Sequence, residues 1–559
     1  MNKVICISGM AAILCFAGQA TPQDLTRLQI GDGKDWSFLN GQWGDGPEAA
    51  LVPPDGGGKE YMAVWHKREY SDVRARFRFQ FRNSNGGARF LFRVRDSMRY
   101  YALDIPWCGQ QNRVRHFWAG ILLADGTPLQ RYLQFQMVLG VAPEHNRWYE
   151  ARVEATGPRI RAWIEGRLAA DVEDRTYAKG RVGLMGLITA GKLTPHFANL
   201  EVGGASASAS RWAGLTPPPE HWIIPCRKVN PQTHQSYPNL VKSKSGALTA
   251  SIPFGNPGAG EMRETVWVRS KDAGRTWSDP MPATAPHKNG LGSMFVKTDG
   301  TWVSVHSKPD GSPQERISRY ESKDEGQTWS GPTMIRVVGE WPKELTADFG
   351  PSAPPLRLRD GALLLPVMAT LGAASGGQYF QKTTTNYVFR STDDGETWAA
   401  PVRCDRNNPQ SPRANWFLPG NFSELGIAEV SDNVIFGLGR PGPWPYMWQV
   451  ESRDGGRSWE PAAFGPIPGY CPTLVRTASG ALVAVKRFPY TSANVSLDGG
   501  KTWDAGTIID TPIWANQKMV EAEPDVVLVL YMGHMVQHGQ PDNRIARLRV
   551  TRKGLVVDR

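Results

Sequence analysis

Ser270-Lys271-Asp272-Ala273-Gly274-Arg275-Thr276-Trp277 is the stretch that decides the fold, because four more copies follow it: SKDEGQTW from Ser322, STDDGETW from Ser391, SRDGGRSW from Ser452 and SLDGGKTW from Ser496. Each reads Ser-x-Asp-x-Gly-x-Thr/Ser-Trp. A self-similar unit recurring roughly every 40 to 70 residues is the signature of a propeller or solenoid. The phrase itself describes a hairpin turn: the Asp bonds backbone N–H groups, the Gly supplies a positive φ, and the Trp anchors the turn from beneath. These residues hold a loop and perform no chemistry.

Ahead of each copy lies a pair of apolar strands around a turn, beginning near Tyr237, Gly292, Ser352, Ser423 and Cys471, and a sixth pair from Asn516 has no box after it. Alternating or continuous apolar runs around Ser-Gly, Asp-Gly and Pro-Asp fit short antiparallel strands. Six such units predict a six-bladed β-propeller over residues 222–559.

Residues 21–204 read differently. Strands such as YSDVRARFRFQFR from Tyr70 and RWYEARVEATGPRIRAWIEGR from Arg147 alternate Arg with Phe or Val, as in a β-sandwich with one wet face. The fold class is therefore all-β, a sandwich (jelly roll) followed by the propeller. Residues 205–221, rich in Ser, Ala and Pro, read as a linker. Residues 1–20 have one cation, a short apolar run and small residues before Thr21, which predicts a signal peptide and a secreted or periplasmic protein. Cys404 and Cys471 precede neighbouring blades and are candidates for a disulfide, with buried thiols as the alternative.

The chain of 559 residues carries a formal charge of +11, which suits an acidic polysaccharide or cell-surface glycan. The cations are scattered and no nucleic-acid motif accompanies them, so nucleic acid is not an expected partner. No segment reads as a membrane span, no residue spacing suits a metal, no cofactor is implied, and the oligomeric state is left open. Trp107, Trp118 and Tyr101 are candidate sugar-stacking aromatics in the first domain.

The boxes, blade number and strand order resemble the sialidase (neuraminidase) superfamily, and the first domain resembles concanavalin A/laminin-G-like jelly rolls. The sialidase resemblance implies a site on the propeller axis, where the inner strands begin. In SELGIAEVSDNVIFGLGR it implies that Glu424 assists a nucleophile and that Arg440, sixteen residues on, binds a substrate carboxylate, with Glu429 as a second acidic position. Arg487 matches a further arginine.

Other family positions depart. Tyr237 stands where blade 1 should bring an arginine, and Asn516 where blade 6 should bring a tyrosine nucleophile. The loop expected to supply an acid/base Asp offers Glu261. Asp348 is another carboxylate expected near the axis, and His306 and Trp416 suit a sugar pocket. These substitutions argue against ordinary sialic acid hydrolysis, because a carboxylate pocket is built from converging bidentate guanidiniums. The sequence thus predicts an exo-glycosidase removing a terminal sugar, acidic sugars included, with catalysis by Glu424, Glu261 and Asp348. The alternatives are a glycan-binding propeller without catalysis and a true sialidase using Tyr490 or Tyr531.

Overall fold

The computed structural model describes residues 25–29, 34–46, 50–52, 60–82, 85–107, 116–190, 195–216, 238–253, 265–282, 284, 292–307, 315–343, 345, 349–371, 383–405, 422–441, 446–511, 517–532 and 543–558. The predicted signal peptide lies outside them. Among the described residues the regular structure is all strand, without an α-helix. None therefore forms a helix long and apolar enough to cross a membrane.

The propeller consists of six blades in chain order, antiparallel but for the short strand Arg336–Val338, which pairs in parallel with Thr397–Arg403 of blade 3. In blade 1 the strands Asn239–Lys242, Leu248–Pro253, Thr265–Ser270 and Met281–Pro282 pair in sequence, and the other blades repeat this meander, blade 3 with added short strands. In every box the Ser Oγ accepts the Gly N–H while the Asp clasps the Thr or Ser two residues past the Gly. In the first, Gly274 N donates to Ser270 Oγ at 2.8 Å and Thr276 Oγ1 to Asp272 Oδ2 at 2.6 Å. Hydrogen bonds from Thr328 and Thr502 hold the Asp324 and Asp498 carboxyls down to about 2.

The box glycines also join the blades. Gly274, Gly326, Gly395, Gly456 and Gly500 sit at φ of +83 to +91. An added Cβ would strike Leu528, Trp267, Phe295, Leu364 and Phe436 respectively, each on the preceding blade, with blade 6 preceding blade 1. Guanidiniums reinforce four of the joints: Arg269 donates to Glu325 O at 2.7 Å, Arg319 to Gly395 O at 2.7 Å, Arg390 to Gly455 O at 3.0 Å and Arg547 to Ala273 O. The ring closes where Leu240, Leu248 and Ile252 of blade 1 pack with Leu528, Leu530 and Ile545 of blade 6.

The sandwich has two antiparallel sheets around a core rich in Phe and Tyr, including Phe77, Phe79, Phe90 and Tyr149. Its second sheet does not face water on the other side. Strand Gln130–Val138 pairs with Thr507–Asp510, the outer strand of blade 5, joining Gln130 to Ile508 and Arg131 to Thr507. Sandwich and blade 5 thereby share one 12-stranded sheet. Behind it Leu91, Tyr100, Trp118 and Tyr132 pack against Tyr470, Phe488, Tyr490 and Ile508.

Burial inside the sandwich and behind its second sheet corrects two expectations. Trp107, Trp118 and Tyr101 are all buried and belong to cores, so none offers a face to a sugar. The alternating arginines are not all solvated either. Arg89 is fully buried and donates to Asp104 at 2.6 Å, while Tyr132 and Tyr490 (3.1 Å) donate to the same carboxylate. The propeller thus supplies one of the hydroxyls that make this buried pair tolerable.

Candidate functional site at the propeller axis

Blade 4 builds the centre of the site. Its inner strand Phe422–Ser431 pairs with Val434–Pro441, and the register skips one residue: Ser423 faces Arg440, but Leu425 faces Gly439. Glu424 is the extra residue of a β-bulge, held at φ +46. A bulge frees one residue from the ladder and re-aims its side chain, and a non-glycine residue in this region is kept only when its surroundings over-determine it. The bulge swings the carboxylate onto the arginine at the end of its own hairpin: Arg440 Nη1 donates to Glu424 Oε2 at 2.9 Å and Oε1 at 3.2 Å.

Blade 5 adds the second half. Cys471 stands just before its inner strand Thr473–Arg476, also at positive φ (+51), and its Sγ lies 2.8 Å from Glu424 Oε2. Arg487, anchored by its backbone N–H on Tyr470 O at 3.0 Å, brings Nη2 to 2.5 Å from the same sulfur, and Arg440 Nη1 lies 3.4 Å from it. From blade 6, Gln517 Nε2 donates to the Cys471 carbonyl and to Val485 O at 2.8 Å, fixing the turn that carries the thiol. Lys518 follows it, close enough for the Glu424 charge to oppose the downward push of burial on its amine.

The electrostatics assign protonation states. Burial pushes the Glu424 carboxyl up, but the charges of Arg440 and Arg487 and the bonds from Cys471 and Arg440 outweigh it and hold the group below its ordinary value. The opposite holds for the thiol. Burial, then the adjacent Glu424 charge, push Cys471 up to about 12 against the two guanidiniums. At neutral pH the cluster is therefore an ionised carboxylate, a neutral thiol that donates to it, and two guanidiniums, with Glu424 still 32% exposed while Arg440 is 8% exposed. Such a carboxylate can act as a base or orient a nucleophile, and not as a general acid.

The structure brings Glu424, Arg440 and Arg487 together and places other candidates elsewhere. Glu429, expected as a substrate contact, stands apart from this cluster. Five residues along the strand, or about 16 Å at the usual rise, both its oxygens accept backbone N–H groups, from Arg359 at 2.7 Å and Asn433 at 3.0 Å, which makes it a turn clasp between blades 3 and 4. His306 is buried in blade 2, where Gly292 N–H donates to its Nε2 at 3.3 Å and Tyr320 packs against its edge. Tyr237, Glu261, Asp348, Trp416 and Asn516 lie outside the described residues.

Neither displaced-nucleophile candidate meets Glu424. Tyr490 OH donates to Asp104 in the sandwich and Tyr531 OH to Asp510 at 2.9 Å, whereas Glu424 bonds Arg440 and Cys471 among the described residues. Cys404 and Cys471 are both free thiols, which removes the proposed disulfide. Among the described residues no three His, Cys, Asp or Glu side chains are grouped to hold a metal ion. Cys471 is the residue missed as a site member. It lies two residues ahead of the inner strand of blade 5, at the same end of its blade as Glu424 in blade 4.

With this geometry in view, residues 301–470 match the BNR repeat-like domain. That match spans blades 2 to 4 of the ring and three of its five boxes, those from Ser322, Ser391 and Ser452. Residues 28–203 match the 3-keto-alpha-glucoside-1,2-lyase-like domain, the concanavalin-like sandwich that precedes the BNR propeller. No curated protein sequence matches the chain.

Among solved structures, the chain is similar to a Hadza microbial sialidase, at 15% identity over 89% of this chain and 98% of that one, with a TM-score of 0.46. The K499G mutant of NanB sialidase from Streptococcus pneumoniae is 11% identical over 90% of this chain and 99% of its own, TM-score 0.44. A protein of unknown function from Dyadobacter fermentans is 18% identical over 59% of this chain and 100% of its own, also at 0.44.

Proposed function

We propose that the protein is a secreted or periplasmic exo-glycosidase that removes a terminal acidic sugar, other than ordinary sialic acid, from a glycan. The observation that carries this reading is the convergence of Glu424, Arg440 and Arg487 from two blades at one end of the axis. Two guanidiniums from different blades suit a substrate carboxylate through charge-assisted bonds, and Glu424, held ionised, serves as the base. Glu261 or Asp348 serves as the general acid, with Tyr237, Trp416 and Asn516 as further sugar contacts. Residues 21–204 act as a brace that positions blade 5.

A second reading, a glycan-binding propeller without catalysis, is favoured by one observation. The neutral Cys471 thiol fills the space between Glu424 and Arg487, so that the carboxylate is already paired. Reducing-sugar release by wild type and Glu424→Gln, on sialylated, uronic-acid-containing and neutral glycans, separates the two. Release from an acidic glycan that the substitution abolishes supports the hydrolase. Binding without release by either protein supports the second reading and sinks the first.

A further inference from the structure

A cavity of about 310 Å³ lies where the sandwich meets the outer flank of blades 4 and 5, and none of Glu424, Arg440, Cys471 and Arg487 lines it. It is at the small end of the range for ligand pockets, ~300–1,000 Å³, the size of a single sugar ring. Half-buried Phe135 of the sandwich and Trp503, the tryptophan of the fifth box, stand among its walls, so it is open to solvent.

Two polar side chains in it have unfilled capacity. Lys486, 1% exposed, donates to the neutral Ser492 Oγ at 2.9 Å. Its nearest counter-charge, Asp504, spends Oδ1 on the Val495 N–H at 2.9 Å instead of bonding the amine. Asn494, 3% exposed, donates to Asp504 O at 2.7 Å, while its Oδ1 is buried without a hydrogen-bond partner. A buried amine without a bonded anion and a buried carbonyl oxygen without a donor are both costly. Each cost is removed by a ligand that brings a carboxylate and a hydroxyl.

We propose that this junction cleft is a second sugar site, which binds an acidic monosaccharide unit with its carboxylate on Lys486, a hydroxyl on Asn494 Oδ1 and its ring against Trp503 and Phe135. Aromatic faces suit the C–H faces of a pyranose. The site is independent of the axial one and requires no catalysis.

Burial lowers the Lys486 amine to about 7, with Asp504 acting in the other direction, and burial raises Asp504. The neighbours from blade 4, Pro466, Ile467 and Pro468, carry no charge, and from the sandwich Tyr132 is engaged with Asp104 and Gln134 is neutral. A bound carboxylate raises the amine's pKa, so binding near pH 7.5 takes up protons and weakens as the pH rises further.

The test is titration calorimetry at pH 7.5 in two buffers of different ionisation heat, with glucuronate and galacturonate as probes and glucose and galactose as neutral controls. Uronate binding with proton uptake is expected in wild type and in Arg440→Met, which disables the axial pair only. Lys486→Met is expected to lose at least tenfold in affinity together with the proton uptake, and Asn494→Leu several-fold. Should Lys486→Met fail to fold, judged by thermal melting, Asn494→Leu and ligand-dependent hydrogen-exchange protection of residues 486–506 decide the matter.

Three results overturn the proposal: no uronate binding at millimolar concentration, equal binding of neutral sugars without proton uptake, or binding lost in Arg440→Met and kept in Lys486→Met. The last places the sugar on the axis alone. Binding unaffected by Arg440→Met and lost in Lys486→Met counts against the axial carboxylate site while supporting this one.

Discussion

Replacing Glu424 by Gln should turn Cys471 from an inert thiol into a reactive one. The sulfur lies 2.8 Å from the carboxylate, whose charge is the largest influence after burial that keeps the thiol up at about 12. A unit charge about 4 Å from the centre of another, at an effective dielectric of ~20, contributes roughly 4 kcal/mol, which is about 3 pKa units. Arg440 and Arg487 remain and continue to favour the thiolate, so the thiol should titrate near ~9 in the variant.

At pH 8 the thiolate fraction then rises about a thousandfold, and the weaker nucleophilicity of a more acidic thiol takes back about twentyfold, leaving roughly fiftyfold faster alkylation. The assay is iodoacetamide labelling followed by peptide mass spectrometry. Cys404 serves as the internal control, because it is fully buried and its thiol is raised chiefly by burial. Labelling of Cys471 that is unchanged or slower in Glu424→Gln, with Cys404 unchanged, would refute the protonation assignment.

Gly326→Ala should be costly on two counts: the left-handed conformation, ~1–2 kcal/mol, and a Cβ 2.2 Å from the Trp267 ring, ~1–3 kcal/mol of overpacking. Gly246→Ala, at φ +86 with nothing within 4 Å, should bear only the first, and denaturant midpoints of the two variants test the difference. The box carboxyls have folded pKa values below the unfolded value, so their contribution is complete above pH ~4 and is lost as the pH falls toward ~2. Tryptophan fluorescence from pH 5 to 2 should show stability falling in that window, and Asp324→Asn should flatten the fall. Asp104→Asn leaves the buried Arg89 charge without its carboxylate, at about 3–5 kcal/mol. Calorimetry should then resolve separate melting of sandwich and propeller in place of a joint transition.

The fold was legible because the boxes are chemically explicit. Ser, Asp, Gly and Trp at fixed offsets have one structural use, and five of them at blade spacing leave little choice of architecture. Glu424 and Arg440 were legible for a related reason, as polar residues at the ends of strands otherwise committed to burial. The rest had no such mark. Glu429 sits on the same strand as Glu424, and only the pairing register shows that it clasps the Asn433 turn. Trp107, Trp118 and Tyr101 have the composition of a sugar platform or of a core; the sandwich's own facing strands bury Trp107 and Tyr101, and neighbouring blades distant in sequence bury Trp118. The link between Gln130 and Ile508 is made by backbone groups that any residue carries. Cys471 invited a redox reading because cysteine pairs are a familiar pattern, while its place at the start of blade 5 pointed to the axis.

Among the described residues, one of the five boxes, that of blade 5, is met by no guanidinium from the blade before it. Where other third strands carry Arg269, Arg319, Arg390 or Arg547 to the next box, blade 4 carries Gln449 and Glu451, bonded to each other at 2.7 Å. That seam, between blades 4 and 5, is also the one spanned by Glu424, Arg440, Cys471 and Arg487 and buttressed from outside by the sandwich. A closed ring under thermal stress parts where its fastening is lightest. The axial cluster and the shared sheet are therefore the rivets of this seam, and a ligand drawing Glu424 away from Cys471 would loosen the ring at the place where sandwich and propeller exchange mechanical load.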